Sequence, residues 1–277
     1  MGGRGSSYSN SQSTVARFTT APNSGVGLQG AQQAQQQNQN TITNQVPTPQ
    51  NTPVNIQALT NLQQMSDDQL TKLFNDSKKV DMPNHLNDKV DATQKFAYQI
   101  GLNAMPQVLD TQSFNQFMQD NNISQSQILS RSVTGATYSV NGIRYSLKPT
   151  DITDMMKYSQ LNYIGGKQGG QVYGAGTYFD MNGGRNTGYG NGATAIAVLN
   201  PNTARVISKA QLKNEISTFI QKNPKFANAV SPTQDYTSST TLSIYALAMG
   251  YNVIKDGYGS YHNIIDRAAL VYRDKNL

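Results

Sequence analysis

The sequence contains no cysteine and no tryptophan, and only one of its sixteen acidic residues, Glu215, is a glutamate. The absence of cysteine excludes disulfides, thiolate zinc sites and thiol nucleophiles. Two histidines, His85 and His262, are too few for a histidine-rich metal centre, so no metal site is predicted. A Ser-His-Asp triad would need one of these two histidines as its base, and mechanisms that need paired glutamates are excluded.

Charge is also scarce, since charged residues make up 14% of the 277 residues, against about 25% in a typical soluble domain. The net charge is +6, but the basic residues are scattered, and Lys78-Lys79 is the nearest approach to a cluster. This distribution favours a solvated basic surface, so nucleic acid is not an expected partner.

Long apolar runs are missing as well. No run approaches the roughly 18 residues of a membrane span, and the first residues lack the apolar core of a signal peptide. We therefore expect no membrane partner and no secretion by a signal peptide.

Low complexity marks residues 1–60. Eleven of the seventeen residues at 29–45 are Gln or Asn, and Pro47, Pro49 and Pro53 disfavour regular structure after them. With few apolar side chains, such a segment cannot bury enough surface to offset its chain entropy. The sequence predicts a disordered Gln/Asn-rich arm over residues 1–60, which serves as a tether or orders against a partner.

Helical signals follow over residues 61–124. Ser66 and Gln69 have the spacing of a capping box, and apolar residues follow at helical intervals. Two further helices are predicted at residues 88–100 and 113–119. We expect these three helices to form a small layer that packs on the rest of the chain.

The pattern changes over residues 125–277, where short strands and helices are mixed. Asn141-Gly142 lies between two alternating segments and predicts a β-hairpin. This mixture favours an α+β fold over a doubly wound parallel sheet. Strands are predicted at 128–133, 194–199, 251–255 and 263–272, and helices at 150–158, 208–221 and 240–249.

Glycine is concentrated in one segment, because eleven of the 23 glycines lie at residues 165–192. The segment has neither the spacing of a P-loop nor that of a dinucleotide-binding fingerprint. Tyr173, Tyr178 and Tyr189 alternate with these glycines, which suits stacking against a flat ligand. A flexible loop with ordinary core tyrosines is the alternative.

Residues 174–179 have the sequence Gly-Ala-Gly-Thr-Tyr-Phe, and Tyr189 follows Tyr178 by eleven residues. This resembles the Gly-x-Gly-x-Tyr-Phe strand and the second tyrosine of ADP-ribosyltransferases of the diphtheria-toxin and poly(ADP-ribose)-polymerase type. The resemblance implies a split β-sandwich over residues 125–277 with NAD as substrate. It implies that Tyr178 and Tyr189 hold the nicotinamide ring, with Gly176 in the same strand.

Residues 128–133 resemble the first core strand of that fold, where an Arg or His meets NAD. The resemblance assigns this contact to Arg131, and Ser132 stands where the family has a glycine beside the carboxamide. By alternation along the strand, Arg131 points to the core side, where a buried charge needs a partner such as a pyrophosphate or an aspartate. Asp180 and Asn186 are further candidates for orienting the loop or the ribose.

The catalytic glutamate of the family stands at the start of the last strands. Alignment of the closing strand puts His262 at that place, with Tyr261 and Asn263 as neighbours. The resemblance therefore implies Arg131 and His262 as catalytic candidates. Relatives without the glutamate transfer a single ADP-ribose or are inactive.

Two functions follow from these resemblances. The first is a mono-ADP-ribosyltransferase of phage origin that moves ADP-ribose from NAD to a host protein or another acceptor. The second follows from the N-terminal sequence, the arm and the helical layer, which resemble small proteins encoded beside bacteriophage head and portal genes. It is a catalytically inactive protein of the same fold, structural or ejected, that docks on capsid or portal proteins. Both imply a location in the virion or the host cytoplasm.

Overall fold

A computed structural model describes residues 53–81, 92–132, 137–140, 143–146, 152, 175–181, 194–238, 241–256 and 261–277. The predicted arm therefore lies outside the described residues up to residue 52. So do Asn141-Gly142 and, apart from Ile152, the helix predicted at 150–158. Within the described ranges, no helix is long and apolar enough to cross a membrane.

Seven α-helices lie in the described part of the chain, and polar side chains cap several of them. Ser66 and Gln69 form the predicted capping box, each side chain accepting a hydrogen bond from the backbone N–H of the other. Ser208 accepts from the N–H of Gln211 at the start of the longest of them. The helices are α1 (Val54–Gln63), α2 (Asp67–Ser77), α3 (Ala92–Gln99), α4 (Thr111–Asp120), α5 (Lys209–Lys222), α6 (Pro224–Val230) and α7 (Leu242–Ala248).

The described strands number ten, and each is short. They are β1 (Gln107–Leu109), β2 (Leu129–Ser132), β3 (Thr137–Val140), β4 (Ile143–Ser146), β5 (Thr177–Met181), β6 (Thr194–Leu199), β7 (Val206–Ser208), β8 (Val253–Lys255), β9 (Tyr261–Ile264) and β10 (Leu270–Arg273). The predicted hairpin is confirmed as the antiparallel pair β3–β4.

Eight of these strands form one mixed sheet in the order β1-β10-β6-β2-β5-β9-β8-β7. The outermost pairs, β1–β10 and β7–β8, are parallel, and the inner pairs are antiparallel. Mixed pairing with helices between some of the strands confirms the α+β class.

Two boundaries predicted from the sequence are wrong. Helix α1 begins at Val54, inside the predicted arm, because Leu59 and Leu62 are fully buried against partners distant in sequence. The single closing strand at 263–272 is in fact β9 and β10, separated by a 3₁₀ turn at Arg267–Ala269. Asp266 causes this break, since its side chain accepts the N–H of Ala268.

The predicted helical layer shares its core with helices from the second half of the chain. Phe74 of α2 meets Phe96 of α3 at 5.8 Å and Phe226 of α6 at 5.9 Å between ring centroids, both edge-to-face. Tyr245 of α7 packs against Phe226 in the same way at 6.0 Å. A second core cluster contains Leu129, Phe179 and Tyr272, which lie on strands of the sheet.

A buried polar network fastens α1 to the closing turn. Asp266 is fully buried and accepts hydrogen bonds from the side-chain amides of Asn55 at 2.8 Å and Asn252 at 3.0 Å. Burial raises the pKa of Asp266, and the hydrogen bonds that it accepts partly oppose this shift. Because each donor stabilises an otherwise costly buried carboxyl, the network fixes where the first helix joins the sheet.

Helix α6 is capped by a side chain from α2. The carboxylate of Asp67 accepts the N–H groups of Lys225 at 2.9 Å and Phe226 at 2.8 Å, which have no partner within their own helix. The adjacent Asp68 forms only an exposed ion pair with the Lys225 ammonium, at 2.7 Å.

Replacement of Asp67 by alanine should lower the free energy of unfolding by about 1–2 kcal/mol, because two backbone donors lose their acceptor. Replacement of Asp68 by alanine removes the same charge one residue away and should cost less than about 0.5 kcal/mol. Urea unfolding followed by circular dichroism measures both values. Equal losses for the two variants would contradict capping by Asp67.

Candidate functional site

The pairing between β2 and β5, at the middle of the eight-stranded sheet, is short. On one side, β2 pairs with β6 along four residues, from Leu129 to Ser132. On the other side, it pairs with β5 only through Leu129 with Met181 and Ser130 with Asp180. Beyond Ser130 no register pairing joins the end of β2 to the start of β5, and we call this interruption of the ladder the gap.

Arg131 spans this gap. Its Nη1 donates a hydrogen bond of 2.7 Å to the backbone carbonyl of Tyr178 in β5. Its register partner in β6 is Ala195, and it shares a face with Leu129, as the alternation in the sequence predicts. Burial lowers the pKa of Arg131 from its ordinary value, although Tyr272 opposes the shift. The guanidinium thus supplies a donor to a carbonyl that β2 no longer reaches.

The register of β5 and β9 assigns the candidate side chains to opposite faces of the sheet. Tyr178 lies opposite Asn263, and Phe179 lies opposite His262. Side chains directly across from each other share a face, and successive side chains alternate. Tyr178 and Asn263 therefore lie on one face, and His262 lies on the other, so the structure does not bring His262 together with Tyr178.

His262 is a packed core residue. Its side chain lies between the register positions of Phe179 and Lys255 and is 6% exposed. Burial and the charge of Lys255 lower its pKa to about 4, although Asp256 acts in the opposite direction. Its Nδ1 is buried and has no hydrogen-bond partner among the described residues. An imidazole in this environment is neutral at pH 7.

Asn263 and Ser243 hold the start of β5 in place. The Ser243 hydroxyl of α7 donates to the carbonyl of Ala175 at 2.6 Å and accepts from the Asn263 amide at 3.3 Å. A Cβ added to Gly176 would lie 1.6 Å from Asn263 Oδ1 and 2.9 Å from the carbonyl oxygen of Ile264. Only glycine permits this approach, and the approach sets the position of Tyr178 two residues later.

Sequence reasoning did not identify Ser243 or Asn263 as functional residues. The alternation of side chains along the closing strand was a signal in the sequence that His262 and Asn263 lie on opposite faces of the sheet. The role of Ser243 has no such signal, because its helix meets β5 only through the tertiary fold.

A row of polar side chains continues the Tyr178 face. Asp180 lies two residues along β5 and opposite Tyr261 of β9, whose side chain is 37% exposed. The N–H of Asp256 donates to the carbonyl of Tyr261 at 2.9 Å, which puts Asp256 at the far end of the row. Asp180 is half-buried, and burial, together with the charge of Asp256, raises its pKa. The face therefore combines two tyrosines with two carboxyl groups.

The remaining candidates fall partly outside the described residues. This is the case for Asn186 and Tyr189 and for the side chain of Ser132, whose backbone pairs with Thr194 in β6. Where the structure does describe the chain, no group of three or more His, Cys, Asp or Glu residues could hold a metal ion.

No protein-family model matches the chain, and comparisons with curated proteins and with solved structures find no match. Interpretation of the site therefore depends on its own geometry.

Replacement of Gly176 by alanine should lower the free energy of unfolding by about 1–3 kcal/mol, because the new methyl group overlaps Asn263 Oδ1 and the carbonyl of Ile264. In a protein that already carries Asn263→Ala, the same change should cost less, since the nearest overlapping atom is absent. Urea unfolding of the wild type, both single variants and the double variant measures this coupling. Equal costs in the two backgrounds would be inconsistent with the packing described.

The buried His262 should make stability depend on pH. The folded state disfavours the protonated imidazole down to about pH 4, whereas the unfolded chain binds that proton below about pH 6.5. Stability from this group is therefore complete above pH 6.5 and falls as the pH drops toward 4, by about 3 kcal/mol at most. Replacement by glutamine should flatten this dependence in urea unfolding measured between pH 7 and 5. A slope in the His262→Gln variant equal to that of the wild type would refute the assignment.

Proposed function

We propose that the chain is an ADP-ribosyltransferase-fold protein that binds NAD and transfers a single ADP-ribose to a host protein acceptor. The observation that carries the proposal is the position of Tyr178. It lies half-buried on β5, beside the gap in the β2–β5 ladder at the middle of the eight-stranded sheet. In the family that residues 174–179 resemble, the tyrosine at this position of the strand holds the nicotinamide ring.

Two contacts support the assignment of a preformed ring-binding surface. Arg131 holds the carbonyl of Tyr178, and Gly176 and Asn263 lock the strand that precedes the ring. A rigid aromatic side chain loses little freedom when a flat ring stacks on it, so preorganisation favours binding. In this proposal Tyr178 stacks the nicotinamide and Arg131 positions the strand. The resemblance assigns the other face of the ring to Tyr189 and the neighbourhood of the carboxamide to Ser132.

His262 has no part in this chemistry. Its side chain is buried on the opposite face of the sheet, and its lowered pKa leaves it unprotonated. The residue across from Tyr178 is Asn263, which is fully buried and donates to Ser243.

One observation favours a second candidate function. Asn263 lies opposite Tyr178 in the pairing of β5 with β9, and its amide side chain carries no charge. A protein that binds NAD without cleaving it, and that serves in a virion as a capsid-associated or portal-associated component, fits this feature. A nicotinamide-release assay separates the two functions, because only the enzyme releases nicotinamide.

The wild-type protein should bind NAD in isothermal titration calorimetry and release nicotinamide during incubation. Replacement of Tyr178 by alanine should weaken NAD binding about tenfold or more, which corresponds to about 1.4 kcal/mol of lost stacking. Tyr178→Phe keeps the ring and should bind within about threefold of the wild type, because the same stacking surface is present.

The matched control is Tyr98→Ala, which removes a half-buried tyrosine from helix α3. It should leave NAD binding unchanged. Absence of NAD binding by the wild type would refute the proposed function, and equal weakening by Tyr98→Ala would show that the effect of Tyr178→Ala is one of stability.

A further inference from the structure

Cleavage of NAD needs a negative charge beside the ribose. As the bond between ribose C1′ and the nicotinamide nitrogen breaks, positive charge develops on the sugar, and a fixed carboxylate stabilises it. The chain's one glutamate, Glu215, lies in helix α5 and not on any of the strands that carry the Tyr178 face. Asn263 carries no charge, and His262 faces the other way.

We infer that Asp180 is the carboxylate that stabilises the ribosyl cation and accepts the proton of the attacking nucleophile. The inference rests on the proposed function. Asp180 follows Tyr178 by two residues on the same strand, so both side chains point to one face of the sheet. Their Cα atoms are separated by about 7 Å, which leaves room for a ring on Tyr178 with its ribose directed toward Asp180.

The pairing of β5 with β2 also ends at Asp180. It is the last residue of β5 that pairs with β2 before the gap, through Ser130, and it pairs with Tyr261 on its other side. A ring stacked on Tyr178 would therefore have Asp180 at the next side-chain position along the same face of β5. The ring of Tyr261 lies on the same face and is partly exposed.

The surroundings of Asp180 leave its charge available to a ligand. None of the three ion pairs in the described part of the chain includes it. Half-burial and the like charge of Asp256 raise its pKa, which makes it a stronger base than an exposed aspartate. Asp256 is itself 4% exposed, and its Oδ1 has no hydrogen-bond partner in the same described ranges. A positive charge that develops nearby is favourable to both carboxylates.

The step balances with water as the nucleophile. The C1′–N bond breaks, and its electron pair stays with the nicotinamide, which leaves as a neutral molecule. The water oxygen bonds to C1′, and one water proton passes to the Asp180 carboxylate and then to solvent. The products are nicotinamide, ADP-ribose and a proton, and a hydroxyl or amine of the acceptor takes the place of water in transfer.

Asp180→Asn should lower the rate constant of nicotinamide release about 100-fold or more, while the Kd for NAD, measured by calorimetry, stays within about threefold. Asp180→Glu restores the carboxylate and should recover part of the rate. Asp235→Asn removes an exposed aspartate from the loop after α6 and should leave the rate unchanged. Asp256→Asn removes the like charge, so the acid limb of the pH–rate profile should move to lower pH.

Each outcome separates this inference from the function on which it rests. Wild-type turnover that persists in Asp180→Asn overturns the role of Asp180 and leaves the transferase intact. NAD binding without turnover in the wild type also overturns it and favours the NAD-binding virion component. Absence of NAD binding overturns the proposed function, and the role of Asp180 falls with it. If Asp180→Asn fails to fold, an Asp180→Glu protein that binds NAD and has an unchanged pH–rate profile overturns the inference.

Discussion

One hydrogen bond, from the guanidinium of Arg131 to the backbone carbonyl of Tyr178, spans the gap in the β2–β5 ladder. A strand that loses its neighbour leaves backbone groups without partners, and burial makes such groups costly. The side chain of Arg131 donates the hydrogen bond that the carbonyl of Tyr178 would otherwise accept from the backbone of a neighbouring strand. The ladder between β2 and β5 therefore ends after two residue pairs without leaving this carbonyl unsatisfied.

The position of Tyr178 also depends on elements far away in the sequence. Ser243 lies in α7, which packs with α1 and α3 in the helical core, and its hydroxyl holds the carbonyl of Ala175. The helical layer is thus connected through α7 to the start of β5. Helices α1 and α3, which the sequence analysis placed before the main domain, therefore support the candidate site through their packing with α7.

Elements set by local chemistry were predictable. The capping box at Ser66, the cap at Ser208 and the hairpin around Asn141-Gly142 each depend on a few adjacent residues, and the structure has helices or strands at those places. Elements set by distant contacts were not. Helix α1 forms because Leu59 and Leu62 find a core, and the closing strand is broken because Asp266 caps the turn that follows it.

The candidate site divides in the same way. The sequence by itself determined the residue types: a tyrosine after paired glycines, an arginine on an alternating strand and a scarcity of glutamate. Only the tertiary structure decided which of those residues share a surface. Neighbouring residues on a strand point to opposite faces, so a difference of one residue in register moves a side chain from the site to the core. For that reason His262 is a buried core histidine, while Asn263 and Asp180 lie with Tyr178.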